Sequence, residues 1–159
     1  MDPATLDAVT LPTEPKRFRV GEFVRWSDID LAGIICYGAY VRFFEIAESE
    51  LFRAIGFPFS RLFERFDFWL PRAQLHFDFR RPAVLDDRLD VEMWVARVGR
   101  SSLRLEFEVR KSPDGEVTAE GYAVLVATRR SDLRPMPLPP ELVAALTPYR
   151  FPSAEDRTE

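Results

Sequence analysis

The spacing of apolar residues predicts one long helix in the first third of the chain. Between Gly38 and Ile55, apolar side chains recur at the three- and four-residue intervals that form one face of a helix. This face consists of Tyr40, Phe43, Phe44, Ala47, Leu51, Ala54 and Ile55. Gly56 predicts a left-handed residue that ends the helix, and Pro58 prevents its continuation. A helix this apolar must be buried on most of its circumference.

Alternation of apolar and polar positions predicts five strands. The first runs from Lys16 to Trp26, and Gly21 within it predicts a bulge. The other four follow the helix and begin near Arg72, Leu89, Leu103 and Thr118. Turns are predicted at residues 99–100 and 112–115, which are rich in Gly, Ser, Pro and Asp. The last strand becomes continuously apolar, which is typical of a central strand covered on both faces.

The order of strand, long helix and four strands predicts an α+β fold. Short turns between consecutive strands favour antiparallel neighbours, so the helix would lie across a five-stranded antiparallel sheet. Residues 57–70 are aromatic, and Ser60 could cap a short second helix there; residues 135–146 predict a short terminal helix. We expect a flexible arm, a single domain and a disordered tail over residues 1–15, 16–150 and 151–159, respectively.

Composition narrows the possible functions. The 159 residues are 47% hydrophobic and 30% charged, which suits a packed domain, and the net charge of −4 argues against a nucleic-acid or anionic-membrane surface. The single cysteine, Cys36, and single histidine, His76, exclude an internal disulfide and metal sites built on Cys or His clusters. The N-terminal residues lack the pattern of a signal peptide, and no apolar run predicts a membrane span, so we expect a cytoplasmic protein.

Two aspartates directly before the long helix are candidate reactive groups. Asp28 and Asp30 would lie near backbone N–H groups that have no partner within the helix. Such amides can polarise an ester or thioester carbonyl, while a carboxylate attacks its carbon or activates a water. Gly33 and Gly38 would let the backbone approach a ligand closely. Spacing alone leaves open a purely structural role, in which both aspartates cap the loop or the helix.

A longer motif resembles a known family. The string DIDLAGIICYGAYVRFFE resembles the signature of 4-hydroxybenzoyl-coenzyme A thioesterases and related acyl-CoA thioesterases of the hotdog fold. The matching positions are Asp28, Asp30, Gly33, Ile34, Ile35, Tyr37, Tyr40, Phe43, Phe44 and Glu45. Leu70-Pro71 and Asp86-Asp87 also fit the family spacing, so the resemblance extends over about residues 17–139.

This resemblance assigns a role to each part of the loop. It implies that Asp30 is the catalytic nucleophile or general base, that the Tyr37 backbone N–H polarises the carbonyl, and that Asp28 holds the loop. Some members carry histidine where this chain has Tyr37, so the resemblance places the chemistry on Asp30 alone. It also implies a hotdog fold in which the sheet wraps around the helix.

The resemblance suggests further residues for the rest of the substrate. Arg100 and Arg134 fall where family members place basic residues that bind the phosphates of coenzyme A. Glu45, on the polar stripe of the helix, either lines the acyl pocket or pairs with Arg42 or Ser49.

We therefore expect an acyl-CoA thioesterase that needs no metal or redox cofactor, coenzyme A being part of the substrate. The resemblance implies an active site between two subunits, hence a homodimer or a tetramer of dimers. Two alternatives stay open: a thioesterase that acts on an acyl-carrier protein, and a hotdog protein that binds acyl-CoA without turnover.

Overall fold

The computed structural model describes residues 14–151 and confirms the predicted order of elements. The predicted arm and tail lie outside the described residues except at positions 14, 15 and 151. The strands are β1 (Phe18–Phe23), β2 (Arg72–Phe79), β3 (Arg88–Val98), β4 (Ser102–Lys111) and β5 (Val117–Val126). The helices are α1 (Tyr40–Ala54), α2 (Phe59–Arg65) and α3 (Pro140–Leu146), with 3₁₀ turns at Trp26–Asp28, Tyr37–Ala39 and Thr147–Tyr149.

The five strands form one antiparallel sheet in the order β1-β3-β4-β5-β2. Helix α1 packs against one face of this sheet, and its rings meet strand side chains directly: the ring centroids of Phe44 and Phe107 are 5.2 Å apart. Phe43 and Phe52 of α1 are fully buried. The two-layer α+β architecture is therefore the predicted one, with β1 and β2 at the edges of the sheet.

The start of the chain differs from the prediction in two respects. Strand β1 ends at Phe23, and Trp26 lies in a 3₁₀ turn with its side chain exposed, because the chain leaves the sheet to begin the loop before α1. The predicted bulge at Gly21 is also wrong, since β1 pairs with β3 without a shift in register. The space beside Gly21 is instead filled by the Arg88 side chain, whose Nη2 would lie 2.5 Å from a Cβ at this position.

Two local predictions elsewhere are wrong. Ser60 lies inside α2 rather than at its N-cap, which is Pro58. β5 is an interior strand between β4 and β2, as predicted, but the prediction that both of its faces are covered is wrong. Residues of β5 on the helix side, such as Ala123, are buried, whereas Tyr122 on the other face is only half-buried and stacks on His76. The apolar run in β5 thus reflects packing of half-buried side chains on the outer face.

Gly56 ends α1 in the left-handed conformation that the sequence predicts, with φ = 88°. A Cβ at Gly56 would meet no atom within 4 Å, so the backbone angle alone disfavours a side chain. We expect Gly56→Ala to lower the free energy of unfolding by about 1 kcal/mol, measured by chemical denaturation. Gly38 is a matched control, because it is equally open but its φ is not positive; equal losses in both alanine variants would contradict the explanation.

Within residues 14–151, no helix combines the length and the apolar character needed to cross a bilayer.

Candidate active site

Asp28 anchors the loop between β1 and α1. The residue is only 3% exposed, and Oδ2 accepts a 2.7 Å hydrogen bond from the Arg25 amide. The guanidinium of Arg42, on α1, donates to both carboxylate oxygens, with Nε 3.0 Å from Oδ1. Burial would raise the pKa of Asp28, but the hydrogen bonds from Arg42 and the Arg25 amide outweigh it and hold the pKa below its ordinary value. Asp28 therefore ties the loop to the helix as an ionised carboxylate.

Asp30 has a different environment, two residues further on. Its side chain is exposed, and Oδ1 accepts a 2.8 Å hydrogen bond from the Ala32 amide, which orients the carboxylate. A tight turn fixes its backbone: the Asp30 carbonyl accepts from the Gly33 amide at 3.0 Å, and its own amide donates to Ile34 O at 3.1 Å. Gly33 makes this turn possible with φ = 75°. Asp30 is thus presented to solvent from a rigid loop.

The entry into α1 differs slightly from the prediction. The α-helix begins at Tyr40, and a 3₁₀ turn over Tyr37–Ala39 precedes it, with Cys36 as N-cap. No side chain caps this turn, so the first amides, at Tyr37 and Gly38, have no side-chain acceptor there. Cys36 is half-buried, and its backbone amide stabilises the loop by donating a 2.7 Å hydrogen bond to the Asp28 carbonyl.

A cavity of about 430 Å³ brings the candidate carboxylate and the helix entry together. It is lined by Asp30, Ile34, Ile35, Tyr37, Tyr40, Phe79, Arg80, Arg81 and Pro82. The Tyr40 hydroxyl is protonated at neutral pH at its ordinary pKa of about 10, and burial raises that pKa further. The cavity therefore combines apolar walls, a carboxylate and two arginines at one end of the sheet.

Glu45 lies outside the cavity that contains Asp30. It lines a second cavity, of about 380 Å³, further along α1. The pairing with Arg42 that the sequence left open does not form, because Arg42 contacts Asp28 and lies 3.6 Å from Glu22.

Arg100 and Arg134 lie at the other end of the sheet from the site. The site loop leaves β1 beside the first residue of β3, whereas Arg100 follows the last residue of β3. Arg134 follows β5 at that same end and lies 3.8 Å from Asp132. Because β3 has 11 residues, its ends are roughly 33 Å apart, and one protomer does not bring these arginines to Asp30.

Several lining residues escaped the sequence prediction. Phe79 ends β2 and Arg80 and Arg81 follow it, and only the antiparallel sheet brings them beside the loop. Glu48 was not predicted either. Its position on the apolar face of α1 indicates a buried carboxylate. His76 is exposed on the opposite face, where its Nε2 lies 3.1 Å from Asp78. Residues 14–151 contain no group of three or more Cys, His, Asp or Glu side chains placed to hold a metal ion.

A long helix packed against a five-stranded antiparallel sheet is the architecture of the hotdog fold. Residues 24–146 match the family model described as the thioesterase-like superfamily. The chain therefore belongs to the thioesterase-like superfamily, and its class of reaction is thioester hydrolysis.

Individual proteins agree with this membership. The chain is 23% identical over 115 residues to a 1,4-dihydroxy-2-naphthoyl-CoA hydrolase of Synechococcus elongatus, covering 72% of this chain and 85% of the relative. It is 26% identical over 128 residues to the acyl-CoA thioester hydrolase YbgC of Escherichia coli, covering 80% of this chain and 93% of that relative. The structure also superposes on the crystal structure of Slr0204, a 1,4-dihydroxy-2-naphthoyl-CoA thioesterase from Synechocystis. The TM-score is 0.77 at 20% identity, and the match covers 83% of this chain and 96% of that one. This last similarity shows the shared fold.

Proposed function

We propose that the protein hydrolyses acyl-CoA thioesters and that Asp30 carries the reaction. The observation that supports this most strongly is the position of the Asp30 carboxylate in one cavity with the entry to α1. Relatives named as hydrolases of acyl-CoA thioesters support the substrate class. Asp28 is occupied by Arg42 and Arg25, so the reactive role falls on Asp30.

Two routes lead from this geometry to the same products. As a general base, Asp30 takes a proton from water while the water oxygen bonds to the thioester carbon; the C–S bond then breaks, and the departing thiolate takes the proton from Asp30 and leaves as the thiol. As a nucleophile, the Asp30 carboxylate bonds to that carbon and expels coenzyme A as the thiolate; water then hydrolyses the resulting anhydride, which restores the carboxylate and supplies the proton that the thiolate takes up. In both routes the carbonyl oxygen gains negative charge, which the amides at Tyr37 and Gly38 would stabilise by hydrogen bonds.

A panel of aryl and fatty acyl-CoAs, assayed by release of free thiol, tests the substrate class. The proposal requires catalytic turnover of at least one member of the panel. The alternative carrier is tested with the same acyl group attached to an acyl-carrier protein. A higher kcat/KM for the carrier-bound group would favour the biosynthetic alternative, and calorimetric binding without thiol release would favour a non-catalytic protein.

We further propose that the working unit is at least a homodimer, and that a tetramer of such dimers is compatible with it. Strand β2 is an eight-residue edge strand whose side chains are mostly exposed, including Leu75 and Phe79. Trp26 and Leu31 of the site loop are exposed as well, so the loop adds to the exposed apolar surface. An exposed edge strand offers unpaired backbone groups to another chain, and exposed apolar patches mark interaction sites. A second copy would also supply the arginines that one protomer holds too far from Asp30.

Complementation between two inactive chains tests the shared site. We expect a chain carrying Asp30→Asn and a chain carrying Arg100→Ala and Arg134→Ala each to hydrolyse acyl-CoA poorly at low substrate concentration. Co-expressed as a mixed dimer, they form one site with wild-type Asp30 from one chain and wild-type arginines from the other. Thiol release well above that of either parent dimer is the expected result. If the mixed dimer releases thiol no faster than the two parent dimers together, the proposed shared site is wrong. Either Asp30, Arg100 and Arg134 then act within one subunit, or the arginines do not belong to the site.

A further inference from the structure

The second cavity, around Glu48, contains a carboxylate that the proposed hydrolysis does not use. Four of its eight lining residues are apolar side chains from α1, α2 and β2, namely Val41, Phe44, Phe59 and Leu75; the other four are Glu45, Glu48, Ser49 and Arg72. Glu48 lies among them and is only 1% exposed. A charged group buried in such a lining is unfavourable unless its hydrogen-bonding capacity is satisfied.

Only one of the two carboxylate oxygens of Glu48 has a hydrogen-bond partner. The Arg72 guanidinium donates to its Oε2, whereas Oε1 has no hydrogen-bond partner in the structure. Burial raises the pKa of Glu48, and the nearby Arg72 opposes this shift without cancelling it. Oε1 is therefore a buried acceptor, in a cavity wall, that lacks a donor.

Both cavities lie along the line of contact between α1 and β2. At one end the rings of Tyr40 and Phe79 are 5.4 Å apart, and both line the cavity that contains Asp30. At the other end Glu48 pairs with Arg72. Tyr40 and Glu48 are eight residues apart on one helix, which corresponds to about 12 Å along its axis. An acyl group of medium length, with its thioester at Asp30, can span that distance.

We propose that the cavity around Glu48 binds the far end of the acyl group, and that Oε1 of Glu48 accepts a hydrogen bond from a hydroxyl group there. This inference rests on the proposed hydrolysis of acyl-CoA. A hydroxyl group suits this position because it donates a single hydrogen bond, which matches the one unpartnered oxygen, Oε1. The apolar walls then contact the methylene groups or rings between the hydroxyl and the thioester.

The inference predicts discrimination between two acyl chains of equal length. We expect the wild-type protein to hydrolyse ω-hydroxydecanoyl-CoA with a kcat/KM roughly tenfold or more above that for decanoyl-CoA, the advantage expected of a hydrogen bond to a charged group. In Glu48→Met, which has a similar length and no acceptor, the ratio should fall to about one. Glu48→Gln retains a neutral acceptor, so its ratio should lie between the two.

Glu50→Met is the matched control, since Glu50 is on the same helix and pairs with Arg53 outside the cavity. Its ratio should equal that of the wild type. An unchanged ratio in Glu48→Met and Glu48→Gln would overturn the inference. A larger preference for ω-aminodecanoyl-CoA would overturn the choice of a hydroxyl.

Binding measurements separate this inference from the proposed function. The dissociation constants of both acyl-CoAs are measured by calorimetry on Asp30→Asn, with Glu48 either wild-type or changed to Met. Tighter binding of the hydroxylated chain that depends on Glu48 supports the inference even if no acyl-CoA is hydrolysed. Equal affinities for the two chains overturn it even if hydrolysis is confirmed.

Discussion

Replacing Asp30 with Asn should lower kcat for acyl-CoA hydrolysis by roughly 100- to 10,000-fold. Asparagine retains the shape of the side chain and its hydrogen bond from the Ala32 amide, but it is a poor base and a poor nucleophile. Because Asp30 is exposed and has no charged partner among the described residues, the free energy of unfolding should change by less than about 0.5 kcal/mol. Catalysis would thus be lost without loss of the fold.

Thiol release at saturating substrate, together with thermal unfolding, measures both parts of this prediction. Asp67→Asn is a suitable control, since Asp67 is an exposed loop aspartate that does not line the cavity of Asp30. Its kcat should stay within about twofold of the wild type, as expected for a surface substitution. If Asp30→Asn retains kcat within a few-fold, the carboxylate is not the reactive group.

Replacing Arg42 with Ala should lower the free energy of unfolding by about 3 kcal/mol. The change leaves Asp28 buried with its charge uncompensated, which is the costly way to break a buried ion pair. Arg53→Ala provides the contrast on the same helix, because the Arg53–Glu50 pair is exposed and should contribute less than about 0.5 kcal/mol. Equal effects of the two variants, measured by urea denaturation, would contradict the assigned role of Asp28.

The Arg42 effect should depend on pH in a defined direction. The native-state pKa of Asp28 is lowered, so the stability it contributes is complete above its ordinary pKa of about 4 and disappears as pH falls through the native value. The wild type therefore loses this contribution in acid. The difference in free energy of unfolding between the wild type and Arg42→Ala should be largest near neutral pH and shrink below about pH 4. A constant difference across that range would show that Arg42 acts through packing alone.

The sequence was most informative where a short periodic pattern coincides with a single element. The apolar face of α1 from Tyr40 to Leu51, the left-handed Gly56 and the alternation in β3 and β4 appear as predicted, because helical and strand periods follow directly from which side chains are buried. Ala54, which the pattern placed on the same helix face, is exposed. Two predictions failed because an apolar side chain looks the same in a core and on a half-exposed surface. The first strand was extended to Trp26, which lies exposed in a 3₁₀ turn, and β5 was predicted to be covered on both faces, although its outer face is only half-buried.

The site was predictable only in its local part. Asp28, Asp30 and Tyr37 are neighbours in sequence, so their proximity at the start of α1 followed from the chain itself. The cavity wall supplied by Phe79 and Arg80 depends on the sheet order, which places β2 at the edge beside the helix. Glu48 was overlooked because a carboxylate in a helix is usually solvated, whereas its place on the apolar face forces burial.

The central claim is that a thioester is hydrolysed in the cavity that Asp30 shares with the entry to α1. The most direct test is a crystal structure of Asp30→Asn with an acyl-CoA that the wild type hydrolyses. We predict that the thioester carbon lies about 3–3.5 Å from the side chain of residue 30, with its carbonyl oxygen facing the Tyr37 amide. A thioester bound elsewhere, with residue 30 out of contact, would contradict the account.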